Sequence, residues 1–174
     1  MIEQLAYRMA VSLKRTVPNH PSSVEIFKFA ISLLLNIVFI VTATLVISLF
    51  TGRTREAVII MLAFAAMRQL TGGMHLKTNM RCVIYSTVIF TVISLLDLGK
   101  GITIAATILA FGLVFFIAPV GIAQQSRIPE KYYPYMKLAA LMIIASNLFF
   151  LSSVLSLSLV VQGITLFLGR EVES

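Results

Sequence analysis

Residues 29–50 read FAISLLLNIVFIVTATLVISLF, 22 consecutive positions without a charged side chain. Wound as an α-helix, a run of that length reaches about 33 Å, enough to cross a hydrocarbon core about 30 Å thick. No water is available there to satisfy backbone N–H and C=O groups, so the segment has to be helical. Residues 83–98, slightly extended, and 102–123 are comparable runs, while 57–67, 138–151 and 154–168 are shorter. With 59% hydrophobic residues, 12% charged residues and a mean hydropathy of +0.97, the chain lacks the polar groups to cover a soluble surface. The sequence therefore predicts an all-α integral membrane protein, one membrane domain over residues 1–174, with no soluble second domain. Six transmembrane segments are expected, at 23–50, 57–70, 82–98, 102–123, 137–151 and 154–168.

Before the first of these, residues 1–20 predict an amphipathic helix. Ile2, Leu5, Ala6, Met9 and Leu13 share one face, and Gln4, Arg8, Ser12 and Arg15 the other. The pattern suits a helix lying in the membrane interface and equally one packed on the protein's own bundle. It has no continuous apolar core and no small-residue cleavage site, so it does not read as a secretory signal. Two prolines in TVPNHPSSVEIF break the helix. Ser22 and Glu25 have capping-box spacing, placing the next helix start near Ser23. Pro119 is expected to kink or end the fourth segment, and the pair Ser152-Ser153 to mark a tight helical hairpin at a membrane face.

Lys plus Arg number 14 against 7 for Asp plus Glu. In a membrane protein that surplus is first a topology signal, because basic loops stay cytoplasmic, and it is no evidence for nucleic acid. With both termini inside, eleven basic residues fall on the cytoplasmic side and three, Arg53, Arg55 and Lys100, outside. A single cysteine excludes an internal disulfide, so cysteine usage says nothing of redox compartment.

The stretch RQLTGGMHLKTNMRC, residues 68–82, lies on the predicted cytoplasmic side and holds the only cysteine and one of the two histidines. On an unbroken helix His75 and Cys82 would share a face but stand about 10.5 Å apart along the axis. Proton exchange between a thiol and an imidazole needs about 3 Å. Gly72 and Gly73 offer the remedy: they break the helix and let His75 sit in a loop folded back on the start of the next one. Cys82 then lies near a helix N-terminus with Arg81 and Arg68 close by, all favouring thiolate. Two readings stay open on these residues alone. A lone cysteine in a membrane helix is often a small apolar filler, and a lone histidine at a boundary just an interfacial polar group. The Gly-Gly pair is what favours a Cys–His dyad. A metal site is short of ligands, since His20 is remote in sequence and Asp97 is predicted on the opposite membrane face; neither a metal nor an organic cofactor is expected.

Arg68, Gly72, Gly73, His75 and Cys82 compose the pattern R-x-x-x-G-G-x-H-x-x-x-x-x-x-C. In this pattern, in Ala118-Pro119-Val120 ahead of a basic loop, in length and in its six-segment plan, the chain resembles the accessory gene regulator protein B family. The resemblance implies a membrane-embedded cysteine endopeptidase of the bacterial cell membrane, with its active site on the cytoplasmic side. Such an enzyme removes the C-terminal part of a quorum-sensing propeptide and leaves a cyclic thiolactone. Two positions depart from the family pattern: Gly121 stands where an acidic residue often follows Ala-Pro-Val, and Leu76 where alanine is common. Both bear on substrate choice more than on the dyad.

Under that reading Cys82 is the nucleophile and His75 the general base. Gly72 and Gly73 form the supporting turn, and Asn79, with Thr78, is a candidate to orient the imidazole. Arg68 either stabilises the oxyanion or a substrate carboxylate, or simply snorkels to the interface. The partners expected are a propeptide of the accessory gene regulator protein D type and membrane lipid, with no nucleic acid; a homodimer is left open, since pairing is one way for short helices to relieve mismatch. Glu130, Tyr132, Tyr133 and Tyr135 in the loop 124–137 read as an interfacial aromatic belt or as substrate contacts. The competing class is a small polytopic transporter or peptide exporter without proteolytic activity, or an assembly factor. A transporter calls for ionisable groups at mid-membrane, whereas polar character in these runs is confined to Ser, Thr, Asn36, Asn147 and Gln162.

Overall fold

A computed structural model describes residues 2–73, 79–122 and 128–173 of the chain. All regular structure among them is helical: α1 (Ile2–Thr16), α2 (Val24–Thr51), α3 (Thr54–Thr71), α4 (Asn79–Leu95), α5 (Lys100–Ile117), α6 (Tyr133–Phe150, entered through a 3-10 turn at Glu130–Tyr132) and α7 (Ser153–Glu173). Four stretches are long and apolar enough to cross a bilayer by themselves: α2, α5, residues 130–150, and α7. α4 is apolar but only 17 residues long. α3 has the length but carries Arg55, Glu56 and Arg68. The chain is an integral membrane protein whose exposed surface is apolar, with Phe50, Phe149 and Phe150 pointing outward at 76–89% exposure.

Alongside its apolar core the bundle buries a set of small and polar side chains and leaves many large apolar ones facing outward. α2 turns Ser32, Asn36, Thr44 and Ser48 inward and leaves Phe29, Leu34 and Leu49 exposed. Those small and polar residues recur at multiples of four and form one stripe, against which α4 packs with Thr87 and Ser94 buried. α7 is the central helix: 44% of its membrane-length window is buried, against 17–22% for the other three spans. It touches α3, α4, α5 and α6. Close approach is possible because a Cβ on Gly163 would already meet Leu113 of α5 at 2.8 Å. One apolar cluster joins Met67, Val114, Ile144, Leu159 and Leu166 around this helix, and a second joins Ile60, Phe90, Ile93 and Val154.

Helix ends are explained by local chemistry. The N-cap of α2 is Ser23, whose hydroxyl accepts from the Ile26 N–H at 3.4 Å, one position later than the Ser22–Glu25 spacing suggested. Ser22 instead donates its N–H to His20 Nδ1, and Glu25 pairs with Lys28 at 3.8 Å. α5 stops at Ile117, two residues before Pro119, whose peptide with Ala118 is cis. Between α6 and α7 the hairpin turns at Leu151, in the left-handed region, and Asn147 holds it. The Asn147 Nδ2 donates to Thr107 Oγ1 at 2.9 Å and to the Ser152 carbonyl at 3.2 Å, while Oδ1 accepts from the Ser152 N–H at 3.1 Å. α1 packs along α2 through Ile2, Ala6 and Ala10, while Leu5, Met9 and Leu13 of its apolar side stay exposed. It packs on the bundle, and the apolar side chains it leaves exposed suit the membrane interface as well.

The alternating course of the helices gathers their ends at two poles. At one, Arg53 reaches Asp97 and Glu56 at 3.5 Å each, and Ser153 Oγ donates to the Leu98 carbonyl at 3.2 Å. The other pole collects the end of α3, the start of α4 and the end of α5.

Candidate functional site

At that second pole, α3 ends where a residue without a side chain is required. Thr71 turns its hydroxyl back to the Met67 carbonyl at 2.8 Å, and the Gly72 N–H closes the last turn on the Arg68 carbonyl at 2.9 Å. Gly72 then takes φ 78°, ψ −142°, a conformation available to glycine and little else. A Cβ there would stand 1.9 Å from the Val120 carbonyl oxygen. Gly73 follows at φ 129°, with Thr165 Oγ1 3.1 Å from where its Cβ would be. The chain leaves the helix axis at this point, and the next helix starts at Asn79.

The two glycines are pinned by a segment far away in sequence. The Gly73 N–H donates to the Val120 carbonyl, and the Val120 N–H to the Thr71 carbonyl, both at 3.0 Å, forming an isolated parallel bridge between the end of α3 and the Ala118-Pro119-Val120 stretch. Gly121, directly after it, has φ 70°. From the third side comes Gln162, fully buried in α7. Its Nε2 donates to the Gly72 carbonyl at 2.8 Å and to Thr71 Oγ1 at 3.1 Å, and its Oε1 accepts from Thr165 Oγ1 at 3.2 Å.

Cys82 is the fourth residue of α4 and half-buried; Asn79, also half-buried, is the first. Arg68 is half-buried one turn before the end of α3. Its guanidinium also borders the turn, with Nη1 3.7 Å from the position of a Gly73 Cβ. Arg81 is exposed. The fold therefore brings Arg68, Gly72, Gly73, Asn79 and Cys82 to one pole. His75 and Thr78 lie outside the described residues. Asp97 is at the opposite pole, paired with Arg53. Among the described residues no three His, Cys, Asp or Glu side chains gather as a metal-binding group. Tyr132 and Tyr135 are exposed, Lys131 stacks over Tyr132 at 5.0 Å, and Lys137 over Phe115 at 5.4 Å.

Thr71, Thr165 and the role of Gln162 escaped the reading of the sequence, which had Gln162 only as a polar residue in an apolar run. One signal was present: a carboxamide inside a membrane helix has to find partners in the protein. Which partners depends on a contact spanning 90 residues, and no spacing rule supplies that.

A sequence profile of the family described as Accessory gene regulator B matches residues 4–170. A protein of Halalkalibacterium halodurans described as AgrB-like is 33% identical over 94 residues, a stretch covering 54% of this chain and 48% of that protein. The matched part thus spans about half the length of that relative. No solved structure matches the chain.

Proposed function

We propose that this chain, which belongs to the accessory gene regulator B family, is a membrane cysteine endopeptidase that cuts a quorum-sensing propeptide and yields its thiolactone ring. Membership carries involvement in accessory-gene-regulator quorum sensing. The observation that most supports the proteolytic reading is that Cys82, near the described start of α4, lies at the same pole as Arg68 and the Gly72-Gly73 turn at the end of α3. A thiol that was merely filler would not call for a half-buried cation and a glycine-only turn at the same pole.

In the proposed reaction the Cys82 thiolate attacks a propeptide carbonyl carbon, His75 having taken the thiol proton. Arg68 faces the negative charge that develops. The tetrahedral intermediate collapses, the C–N bond breaks, and His75 returns its proton to the departing amine. The N-terminal part of the propeptide is left as a thioester on Cys82. A cysteine thiol within that same part then attacks the thioester carbon and displaces Cys82 as thiolate, closing the ring. One thioester is exchanged for another, so ring closure is close to neutral in bond energy, and the protein's task is to hold the two ends together away from water. The excess of basic residues on the side of Cys82 supports a cytoplasmic site, where a basic surface would attract the acidic tail of a propeptide.

Co-expression with the propeptide encoded beside it, read by mass spectrometry, tests the proposal. Wild type should release the C-terminal fragment and a product lighter by one water than the linear N-terminal part, and Cys82→Ser should release neither. Equal processing by both sinks the protease reading and favours an exporter.

A further inference from the structure

We infer that Gln162 is a positioning residue for the Cys82 site: its carboxamide ties the last membrane helix to the Thr71–Gly73 turn and so fixes that turn beside α4. The inference rests on the proposed proteolytic reading, but its structural part stands apart from it. Gln162 has zero exposure in the middle of the most buried helix, a place where an uncharged carboxamide is costly unless every group is matched. Both Nε2 hydrogens are matched, one on the Gly72 carbonyl and one on Thr71 Oγ1, while Oε1 shares the Thr165 hydroxyl, at 3.2 Å, with the Gln162 backbone carbonyl at 2.8 Å. A leucine would fill the same volume with no desolvation cost, so packing alone does not explain a glutamine.

What the carboxamide holds is telling. The Thr71 hydroxyl and the Gly72 carbonyl belong to the last turn of α3, one turn after Arg68 and three residues before His75. Val120 restrains the same turn through the backbone from another side. Gly163, immediately after Gln162, has no Cβ to separate α7 from Leu113, so the helix bearing the clamp is seated firmly against α5. With Gln162 removed, the Gly72 carbonyl and the Thr71 hydroxyl lose the side-chain donor that ties them to α7.

The test uses full-length protein in lipid nanodiscs, the propeptide encoded beside it as substrate, and iodoacetamide as a probe of the single thiol. Gln162→Leu should lower kcat by about a hundredfold, the effect of an ångström of misplacement, with KM within about twofold of wild type. It should also change the rate of Cys82 alkylation several-fold, as the turn shifts relative to α4 and alters access to the thiol. Thr71→Val removes one of the two acceptors and should lower kcat several-fold, whereas Thr71→Ser, which keeps the hydroxyl, should restore it. If Gln162→Leu does not fold, the Thr71→Val and Thr71→Ser pair decides the matter, and equal rates for the two overturn the inference. A Gln162→Leu protein with wild-type kcat and wild-type alkylation overturns it too, as does a rise in KM at constant kcat. If wild type cleaves nothing yet alkylation still depends on Gln162, the protease reading fails and the positioning role stands.

Discussion

Replacing Gly72 by alanine should be the most damaging single-methyl change in the protein, and its cost can be worked from the geometry. The added Cβ would lie 1.9 Å from the Val120 carbonyl oxygen, 3.0 Å from its carbon and 3.1 Å from Ile122 Cγ1. The first of these is a backbone atom that cannot rotate away, so the two strands of the bridge must separate by more than an ångström. Both hydrogen bonds between them, each 3.0 Å, are then lost. Two buried backbone bonds at about 1 kcal/mol each, with about 2 kcal/mol for forcing alanine into a glycine-only conformation, give roughly 4 kcal/mol. Gly52→Ala is the matched control. It has φ 69° at the C-cap of α2 and nothing within 4 Å of a Cβ, so it carries only the left-handed penalty of about 1 kcal/mol. Because Cys82 is the single cysteine, a fluorogenic maleimide reports unfolding without an added label. At roughly 2–4 °C per kcal/mol, Gly72→Ala should melt about 10 °C below wild type and Gly52→Ala only a few degrees below. Equal shifts for the two variants would refute the argument that the Val120 contact, rather than the backbone angle alone, demands glycine.

Cys82→Ala should abolish propeptide cleavage while leaving propeptide association nearly intact in a pull-down, since the thiol is a small part of an extended peptide contact. His75→Ala should leave a residual cleavage that rises with pH, because hydroxide must then remove the thiol proton; the double variant should be scarcely worse than either single one, and additive losses would show that the two groups do not act as a unit. In a Cys82→Ser background, an impermeant maleimide added outside intact cells should label Lys100→Cys and spare Lys77→Cys, and the opposite pattern would overturn the assigned topology. Asn147→Leu removes three hydrogen bonds from the α6–α7 hairpin and should cost about 2 kcal/mol, yet cleavage per folded molecule should hold because the hairpin is at the pole away from Cys82; a selective loss of kcat would show coupling between the poles.

The fold class was legible because the bilayer allows so little choice. Residues 29–50, free of charge, could only be helical, and the fold is all-helical among the described residues. Less legible was which way each helix faces. In α4 and α6 only a few polar residues, Thr87 and Ser94 in one and Asn147 in the other, mark the buried side, too few to set a period in the sequence. α2 carried the signal in an inverted form: its buried positions are Ser32, Asn36, Thr44 and Ser48, small and polar residues that let helices approach where apolar ones face lipid. At α3 the difficulty was charge. Arg55, Glu56 and Arg68 near its ends shortened the apparent apolar run to 57–67, although the helix spans Thr54–Thr71.

The site was legible to the extent that its parts are adjacent in sequence. Gly72 and Gly73 announced the helix break, and the first turn of α4 lies close behind them. The rest of the construction is assembled from three places, the end of α3, the residues after α5 and the interior of α7, separated by about 50 and 90 positions. Alternating helix directions explain why the first two meet, since α3 and α5 both end at the pole where Cys82 begins its helix. They do not explain why Gly72 in particular meets Val120. A glycine pair reads identically in sequence whether it serves a positive φ or the close approach of another backbone, and here Gly72 serves both. The glutamine has the same ambiguity, because a buried carboxamide only says that partners exist. The geometry resolves both at once: the carbonyl that Gln162 takes as its acceptor belongs to Gly72, so a membrane helix 90 residues downstream reads out the shape of a turn that only glycine can make.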